Sequence, residues 1–287
     1  IGLVGSEMCI RDRRGYDGRF GPGLPAISDG QMLFMLNGVK KLKEGSGRMA
    51  IIQNGSSLVT GDAGSGASEI RRYLIHEDLV EAIVQLPTDL FYNTGISTYI
   101  WVLTKGKPMS RSGRVQLIDA SKCFVKRRKN IGSKRVDLDD ACIDLILKAY
   151  EGFDQNEVYT ADDLVVESKV FKNDFFGFTK VTVETAQTDA NGKLLLKKGK
   201  KLPVKGATDS EIIPLSDDID AYMAKNVLPY NPLAYIDPAK DKIGYEIPFT
   251  RLFYKFEAPE PSASIFEDIK ALEAKETVLM KELFGND

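Results

Sequence analysis

Apolar residues recur at helical spacing near the start of the chain and then gather into short continuous runs. Residues 15–25 are rich in Gly and Pro, which predicts an irregular loop. Ser28 and Gln31 form a capping-box pattern, and the apolar period that follows predicts a helix ending at Gly45. The run MAIIQ at residues 49–53 is bounded by glycines, which predicts a strand buried on both faces.

Three later apolar runs predict further strands, at residues 79–86, 98–104 and 115–120. A helix at residues 69–74 precedes the first of these runs. Strand, helix and strand, followed by a short connection into another strand, is an order typical of an α/β domain. We therefore predict a mostly parallel sheet with a hairpin at its edge.

The pattern of the chain changes after these strands. A basic segment at residues 122–135 precedes an amphipathic helix that Asp137 opens. From about Glu151 the elements become mixed, and apolar runs at residues 181–184 and 194–197 flank an Asn-Gly turn. An Asn-Gly pair between two such runs predicts a β-hairpin.

Two helices, at residues 217–227 and 265–284, flank a proline-punctuated loop at residues 230–238 near the end of the chain. Apolar residues on the terminal helix lie near heptad spacing, at Ile265, Ile269, Leu272, Leu279 and Leu283. A stripe this narrow suits a helix–helix seam better than the broad face of a core helix. The proline-rich segment at residues 258–261 would act as a hinge before this helix.

The first thirteen residues, IGLVGSEMCIRDR, begin with Ile and not with Met. One interpretation is a frayed strand with a basic loop. A targeting segment is excluded, because no basic region precedes a long apolar stretch. The string resembles translated sequencing-adapter sequence, so we predict that residues 1–13 are a non-native artefact. The native sequence would resume near Arg14 and extend further on its N-terminal side.

Composition narrows the class of protein. The 287 residues are 43% hydrophobic and 28% charged, enough apolar material for a real core, which excludes disorder and a disulfide-dependent miniprotein. The net charge of −2 means that a nucleic-acid partner must be met by a local basic patch. Three cysteines without a CxxC pair and one histidine predict a reducing cytoplasm and no metal site. No apolar run is long enough to span a membrane.

Three motif-like features favour a structural interpretation. The glycine loop at residues 61–68 lacks the GK[ST] of a phosphate-binding loop, so we interpret it as a connector. The segment NPLAY at residues 231–235 is similar to the Asn-Pro-Pro-Tyr/Phe of amino methyltransferases. It lacks the second proline, however, and lies beyond the α/β strands, which favours a turn. His76 has no neighbouring Cys or His partner, which favours a solvated residue at a helix end.

Residues 86–105, LPTDLFYNTGISTYIWVLTK, carry the strongest chemical signal. Phe91 and Tyr92 lie in a loop between two predicted strands, and loops seldom hold two aromatic residues without a stacking or packing role. In α/β folds, loops at the carboxyl ends of strands hold the ligand. The alternative is that Phe91 packs under the sheet.

The chain as a whole resembles a known family from near Arg14 to its end. The blocks that carry the resemblance are GRMAIIQNGSSL, IRRYLIHEDLVEAIVQLPTDLFYNTGISTYIWVLTK, VQLIDAS, FKNDFFGFTKVTVE, PLSDDIDAYMAKNVLP and KIGYEIPFTRLFYKF. They are similar, in this order, to the modification subunit of type I restriction–modification systems. That family transfers a methyl group from S-adenosylmethionine to the exocyclic amine of adenine in DNA.

The resemblance implies roles for particular residues. Phe91 matches an aromatic that stacks on the flipped-out adenine, which must leave the base stack because its amine is otherwise unreachable. Asn93, Thr94 and Gly95 complete the same loop and would shape the pocket or touch the backbone. Independently of the resemblance, the positive charge of the basic segment makes Lys126, Arg127, Arg128 and Lys129 candidates for contact with the DNA backbone.

The same resemblance places two motifs upstream of Arg14, and neither is present in this chain. They are the glycine-rich loop for S-adenosylmethionine and the Asn-Pro-Pro-Phe/Tyr motif, whose Asn polarises the amine for direct transfer. We therefore expect no catalytic, cofactor-binding or metal-binding residue here, and no activity from this chain alone.

The sequence thus predicts the C-terminal half of a Rossmann-like α/β methyltransferase sheet at residues 14–150. A mixed α+β region follows at residues 151–287 and ends in a partner-binding helix at residues 262–285. The partners implied are double-stranded DNA and the specificity and restriction subunits of a type I complex, in the cytoplasm. The alternative is a non-catalytic, DNA-binding scaffold subunit of a restriction complex.

Overall fold

A computed structural model of the chain describes residues 15–27, 29–256 and 258–285. The chain divides into two compact units, residues 1–249 and 250–287. No helix of the described part has both the length and the apolar character needed to cross a membrane.

A six-stranded sheet forms the centre of the larger unit. Its strands are β1 (Arg48–Asn54), β2 (Val80–Gln85), β3 (Thr98–Thr104), β4 (Arg114–Asp119), β7 (Asn156–Ala161) and β8 (Leu164–Lys172). Their order across the sheet is β1-β3-β2-β4-β8-β7. The β2–β4 pair is parallel and the other neighbouring pairs are antiparallel, so the prediction of a mostly parallel sheet is wrong. After the loop at residues 86–97, β3 returns antiparallel between β1 and β2, and β8 pairs antiparallel with β4 on the other side of the parallel pair.

Helices cover both faces of this sheet. They are α1 (Gln31–Lys41), α2 (Ser56–Val59), α3 (Gly66–His76) and α4 (Asp140–Gly152). The indole nitrogen of Trp101 donates to the Ser57 hydroxyl at 3.1 Å, which places α2 on the face to which Trp101 points. Val84 packs against α4. Because Val84 pairs with Ile100, and adjacent residues of a strand point to opposite faces, α4 lies on the other face.

Two helix starts differ from the sequence prediction. The first helix begins at Gln31, whose amide donates to the Asp29 carboxylate at 3.3 Å; Ser28 lies outside the described residues. It ends at Lys41 and not at Gly45. The fourth helix begins at Asp140 because Asp139 caps it. Asp137 instead ends a strand.

The predicted burial of the first strand is wrong. β1 is an edge strand, and of its residues only Gln53 is buried, whereas Ile52 is 49% exposed. An edge strand has a neighbour on one side only, and α4 packs on Val84, Ile118 and Val166 while it meets β1 through Tyr150, whose ring centre lies 5.7 Å from the Arg48 guanidinium carbon. The run MAIIQ is therefore apolar without being enclosed.

A second sheet is built around β9 (Gly177–Ala186). It pairs with three strands, β12 (Pro203–Pro214), β13 (Ala234–Ile236) and β14 (Lys242–Tyr245), and the helix α5 (Ile219–Asn226) packs on it. The Asn-Gly turn exists, since Asp189 and Lys193 are joined by a main-chain hydrogen bond of 2.9 Å. The predicted hairpin forms around this turn through an antiparallel bridge between Thr188 and Leu194, but its predicted first strand is wrong, because Val183 pairs with Asp209 of β12.

The remaining elements are short apart from the last helix. Two small hairpins join β5 (Val125–Ile131) to β6 (Lys134–Asp137) and β10 (Leu196–Lys197) to β11 (Lys200–Lys201). Short 3₁₀ turns occur at Gly18–Phe20, Met109–Arg111, Asn173–Phe176 and Pro238–Lys240. The chain continues with α6 (Phe249–Phe253) and α7 (Ser262–Phe284), and no described residue of α7 is buried.

A buried carboxylate joins the first sheet to α4. Glu81 is 2% exposed and accepts hydrogen bonds from Arg48, at 2.7 Å, and from the Tyr150 hydroxyl. Burial, together with the hydrogen bond to Glu81, raises the pKa of Tyr150 to about 12. Tyr150 therefore stays a neutral donor to this carboxylate.

A second carboxylate holds the turn between α3 and β2. Asp78 has a φ of +54° and accepts hydrogen bonds from Lys107, from the Gly113 amide at 2.9 Å and from the Asn173 side chain at 2.9 Å. Burial on its own would raise the pKa of Asp78, but these three donors outweigh it and hold the pKa below its ordinary value.

Candidate nucleic-acid interface

The loop between β2 and β3, residues 86–97, leaves the sheet where β2 and β4 both end. These two strands are parallel, so their carboxyl ends lie at the same edge of the sheet. Asn54, the last residue of β1, pairs with Thr98 at that same edge. The loop therefore occupies the position at which α/β folds bind their ligands.

The base-side loop, as we call residues 86–97, is tightly folded. Asp89 has a φ of +57°, and Phe91 forms an isolated bridge with Thr94. The Thr94 hydroxyl accepts a hydrogen bond from the Ile96 amide at 3.3 Å. A Cβ added at Gly95 would lie 2.6 Å from a carboxylate oxygen of Asp89, so a larger residue there would displace the Asp89 side chain.

This loop docks on the β5–β6 hairpin through main-chain contacts. The Ser133 amide donates to the Tyr92 carbonyl at 2.9 Å, and the Arg135 amide donates to the Asp89 carbonyl at 2.8 Å. Gly132 allows the approach, because a Cβ on it would lie 2.6 Å from the Tyr92 oxygen. The structure therefore brings together the two segments in which the sequence placed its candidate residues.

The two aromatic residues of the loop differ in exposure. Phe91 is half-buried and packs against a cluster formed by Leu86, Leu90 and Val136. Tyr92 is 57% exposed, and the Lys134 ammonium lies 5.5 Å from the centre of its ring. One ring thus helps to hold the loop, while the other is available to a partner.

The smaller candidates of the loop are accessible. Asn93 and Gly95 are exposed, and Thr94 is half-buried. The bridge between Phe91 and Thr94 fixes the main chain that carries Asn93.

The four basic candidates also differ from one another. Lys126, Arg128 and Lys129 are exposed on β5. Of the four, Arg127 alone forms an ion pair within the described residues, with Asp137. A hydrogen bond from Lys134, at 2.8 Å in the ion pair, and the charge of Arg127 hold the pKa of Asp137 below its ordinary value. Three of the four cations are therefore available for phosphate oxygens.

The glycine loop at residues 61–68 does not fit the adenosyl cofactor of a methyltransferase. A Cβ on Gly66 would lie 1.8 Å from the Leu24 carbonyl oxygen, and the Gly64 amide donates to the Ile243 carbonyl at 3.1 Å. The space beside Gly66 is thus filled by the Leu24 main chain, and the Gly64 amide already donates to another strand. The described residues also contain no group of three or more His, Cys, Asp or Glu that could hold a metal ion.

The other two motif-like features are structural as well. The Asn231 side-chain nitrogen donates to the Thr185 hydroxyl of β9 at 2.8 Å, and its oxygen accepts from the Leu233 amide at 3.2 Å. The oxygen thus closes a turn, and the nitrogen holds that turn against β9. The side chain of His76 is 72% exposed, with Glu77 nearby.

Sequence reasoning missed the β5–β6 hairpin, because it described residues 122–135 only as a basic segment and assigned them no strands. Ile131 pairs with Lys134 around Gly132 and Ser133, and Gly132 has a φ of +60°. A Gly-Ser pair between two runs is a hairpin signal that could have revealed it. Lysine and arginine at most positions hid the alternation that marks a strand.

Comparison with known proteins gives consistent matches. The family profile of the N-6 DNA Methylase matches residues 8–191. The HindI type I restriction enzyme methylase subunit of Haemophilus influenzae is 28% identical over 214 residues, which are 74% of this chain and 46% of that protein. The MjaVII methylase subunit of Methanocaldococcus jannaschii is 33% identical over 117 residues, or 39% of this chain and 19% of that protein.

A solved structure of a type I restriction–modification methyltransferase subunit from Streptococcus thermophilus is 28% identical, with a TM-score of 0.46. It is matched over 57% of this chain and 31% of its own. The chain thus spans less than half the length of these relatives. Because the profile match covers residues 8–191 of 287, well over half of the chain, the protein belongs to the N-6 DNA methylase family.

Proposed function

We propose that this chain forms the target-base side of a DNA adenine methyltransferase, the modification subunit of a type I restriction–modification complex. The observation that carries the proposal is the docking of the base-side loop on the basic β5–β6 hairpin, through Ser133 and Arg135. Family membership and the methylase subunits among the relatives support it.

In this proposal the base-side loop receives the adenine after it leaves the helix. Stacking of a base on an aromatic side chain contributes about 1–3 kcal/mol, and Phe91 is the residue that the family resemblance assigns to it. Asn93, Thr94 and Gly95 line the same loop. Because Phe91 is half-buried, its ring would present one edge or face to the base while the rest holds the loop.

Lys126, Arg128 and Lys129 would bind phosphates next to the flipped nucleotide, and Arg127 would do so only by leaving Asp137. Phosphate contacts fix the register of a protein on DNA without reading its sequence. The hairpin would therefore position the duplex while the loop takes up the base.

S-adenosylmethionine is the methyl donor that family membership implies for the intact enzyme. The glycine loop at residues 61–68 does not fit it, and the resemblance places the cofactor loop and the Asn-Pro-Pro-Phe/Tyr motif upstream of Arg14. We therefore expect this chain alone neither to bind the cofactor nor to methylate DNA.

We assign α7 to binding of the specificity subunit, with the restriction subunit as a further member of the complex. The five residues of the predicted seam are 44–73% exposed. Four more exposed apolar residues widen the apolar surface, namely Phe266, Val278, Met280 and Phe284. A cytoplasmic site of action agrees with the free, buried thiols of Cys123 and Cys142.

The test uses the full-length protein that contains this chain, with its specificity subunit. The complex is incubated with S-adenosylmethionine and unmethylated DNA, and the digested nucleosides are identified by mass spectrometry. We expect N6-methyladenine and no methylated cytosine. A complex that binds DNA tightly but leaves every nucleoside unmodified would instead support the scaffold function.

A further inference from the structure

A second basic surface lies far along the chain from the β5–β6 hairpin. Residues 193–205 contain six lysines, at positions 193, 197, 198, 200, 201 and 205. No acidic residue lies between Asp189 and Asp209 in the sequence. The whole chain has a net charge of −2, so this is a strong local concentration of positive charge. We call residues 193–205 the lysine hairpin.

The tip of the lysine hairpin is a tight two-residue turn. Lys198 and Gly199 have φ values of +51° and +79°, as the primed turns of β-hairpins require. Around this turn Lys197 pairs with Lys200, so both side chains project from the same face. All of residues 191–201 are exposed, so the charges of the tip face solvent.

The base of the hairpin is held by main-chain hydrogen bonds. Leu195 donates to the Gln187 carbonyl at 2.9 Å, and Gln187 donates to the Leu202 carbonyl at 2.8 Å. The Tyr235 hydroxyl adds a bond to the Lys201 carbonyl at 3.1 Å. The lysines are therefore presented on an anchored element and not on a free loop.

Carboxylates lie near two of the six lysines, because Glu184, which pairs with Lys240, and Asp237 line the same cavity as Lys200 and Lys201. Within the described residues none of the six lysines forms an ion pair, whereas Arg127 and Lys134 of the other hairpin are both paired with Asp137. The Lys201 ammonium lies 5.1 Å from the centre of the Tyr235 ring, which leaves its charge available. Six like charges held together repel one another, and an anionic partner relieves that repulsion.

We propose that the lysine hairpin binds the phosphate backbone of duplex DNA, as a contact separate from the base-side loop and the β5–β6 hairpin. The segment contains lysine but no arginine, and lysine meets phosphate as a point charge without the fixed geometry of a bidentate base contact. It therefore contributes affinity without sequence preference. The choice of DNA over another polyanion rests on the proposed function.

The exposed Leu194, Leu195 and Leu196 beside the lysines make an acidic protein the competing occupant. Charge alone does not distinguish duplex DNA from an acidic protein as the partner, but the salt dependence of the binding affinity does. Phosphate contacts release condensed counterions, so each one adds about 0.9 to the slope of log affinity against log salt concentration.

The experiment measures binding of this chain to a 30-base-pair duplex by fluorescence anisotropy between 50 and 300 mM salt. The test variant carries Lys197→Gln, Lys198→Gln, Lys200→Gln and Lys201→Gln. The control carries the same charge change on other exposed lysines, Lys40→Gln, Lys41→Gln, Lys43→Gln and Lys148→Gln. Thermal unfolding of each protein confirms that both variants fold.

We expect the test variant to flatten the salt slope by about 2–4 and to weaken binding at 100 mM salt by at least about tenfold, while the control stays near wild type. An unchanged slope, an equal loss in the control, or no duplex binding by the wild-type chain at 50 mM salt would each overturn the proposal. So would stronger competition by poly-glutamate than by DNA. Methyl transfer is not measured here, so failure of this proposal leaves adenine methylation by the full-length protein standing.

Discussion

Gly132→Ala tests the contact between the base-side loop and the β5–β6 hairpin. Gly132 has a φ of +60°, a region that costs an alanine about 1–2 kcal/mol. The new Cβ would also lie 2.6 Å from the Tyr92 carbonyl oxygen, so the hairpin has to withdraw from the loop. Gly192→Ala is the matched control, because Gly192 has a φ of +77° and open space around it.

The withdrawal removes the hydrogen bond from the Ser133 amide to Tyr92 and strains the one from Arg135 to Asp89. A hydrogen bond of this kind contributes about 0.5–1.5 kcal/mol net. Gly132→Ala should therefore destabilise the hairpin by about 2–4 kcal/mol, against about 1–2 kcal/mol at the control site.

Hydrogen–deuterium exchange at the Ser133 and Arg135 amides is the direct assay. Gly192 lies in a different turn, so Gly192→Ala should leave exchange of these two amides near wild type. Because about 1.4 kcal/mol corresponds to a factor of ten, a local loss of about 2–4 kcal/mol in Gly132→Ala should speed their exchange more than about twentyfold. Equal exchange in the two variants would refute the reasoning, because the carbonyl contact would then have no energetic consequence.

Four further outcomes are expected. In the full-length protein, Phe91→Ala should raise the activation free energy of methylation by about 1–3 kcal/mol and also lower the melting temperature. Tyr92→Ala should weaken DNA binding without changing stability. The reverse pattern would exchange the roles of the two rings. Glu81→Ala should destabilise the chain by about 1–3 kcal/mol in denaturant titration, because the half-buried Tyr150 hydroxyl loses its acceptor while Arg48, 53% exposed, remains hydrated; a loss under about 0.5 kcal/mol would contradict the network. The lowered pKa of Asp78 means that its stabilisation is present above the unfolded-state pKa, near 4, and is lost as the pH falls through the folded value; Asp78→Asn should flatten this acid dependence of unfolding. Deletion of residues 262–287 should abolish co-purification of the full-length protein with its specificity subunit while barely changing thermal stability; a collapsed melting temperature with an intact complex would place the helix in the core.

Local signals in the sequence were sufficient for the buried strands. The run at residues 98–104 predicts β3 without error, and the run at residues 79–86 predicts β2, because both are mostly apolar and mostly buried, with Glu81 and Gln85 as the polar residues of β2. The run at residues 49–53 looks the same and yet forms an edge strand. Burial on both faces depends on neighbours that lie elsewhere in the chain, and a local pattern does not contain them.

Strand direction was harder to predict for the same reason. The pairing of β3 with β1 and the pairing of β8 with β4 each join strands that are far apart in the sequence. The lysine-rich and arginine-rich hairpins were also missed, since solvent-facing charges at successive positions erase the alternation of period two. In both hairpins the turn residues, Gly132 with Ser133 and Lys198 with Gly199, retain the signal.

The candidate site was predictable as two separate segments. The presence of two aromatic residues in one loop indicated Phe91 and Tyr92 as candidates, and the cluster of positive charge indicated the basic segment. Their contact was not predictable, because it is made by main-chain amides and a glycine, which carry no side-chain signature. The different burial of the two rings likewise depends on the packing of Leu90 and Val136.

The central claim is that this chain supplies the target-base side of an adenine methyltransferase whose cofactor site lies outside it. Calorimetric titration of S-adenosylmethionine into the full-length protein and into this chain tests it directly. We predict a micromolar site in the full-length protein and no binding heat with the chain. A micromolar site in the chain itself, or none in the full-length protein, would contradict the account.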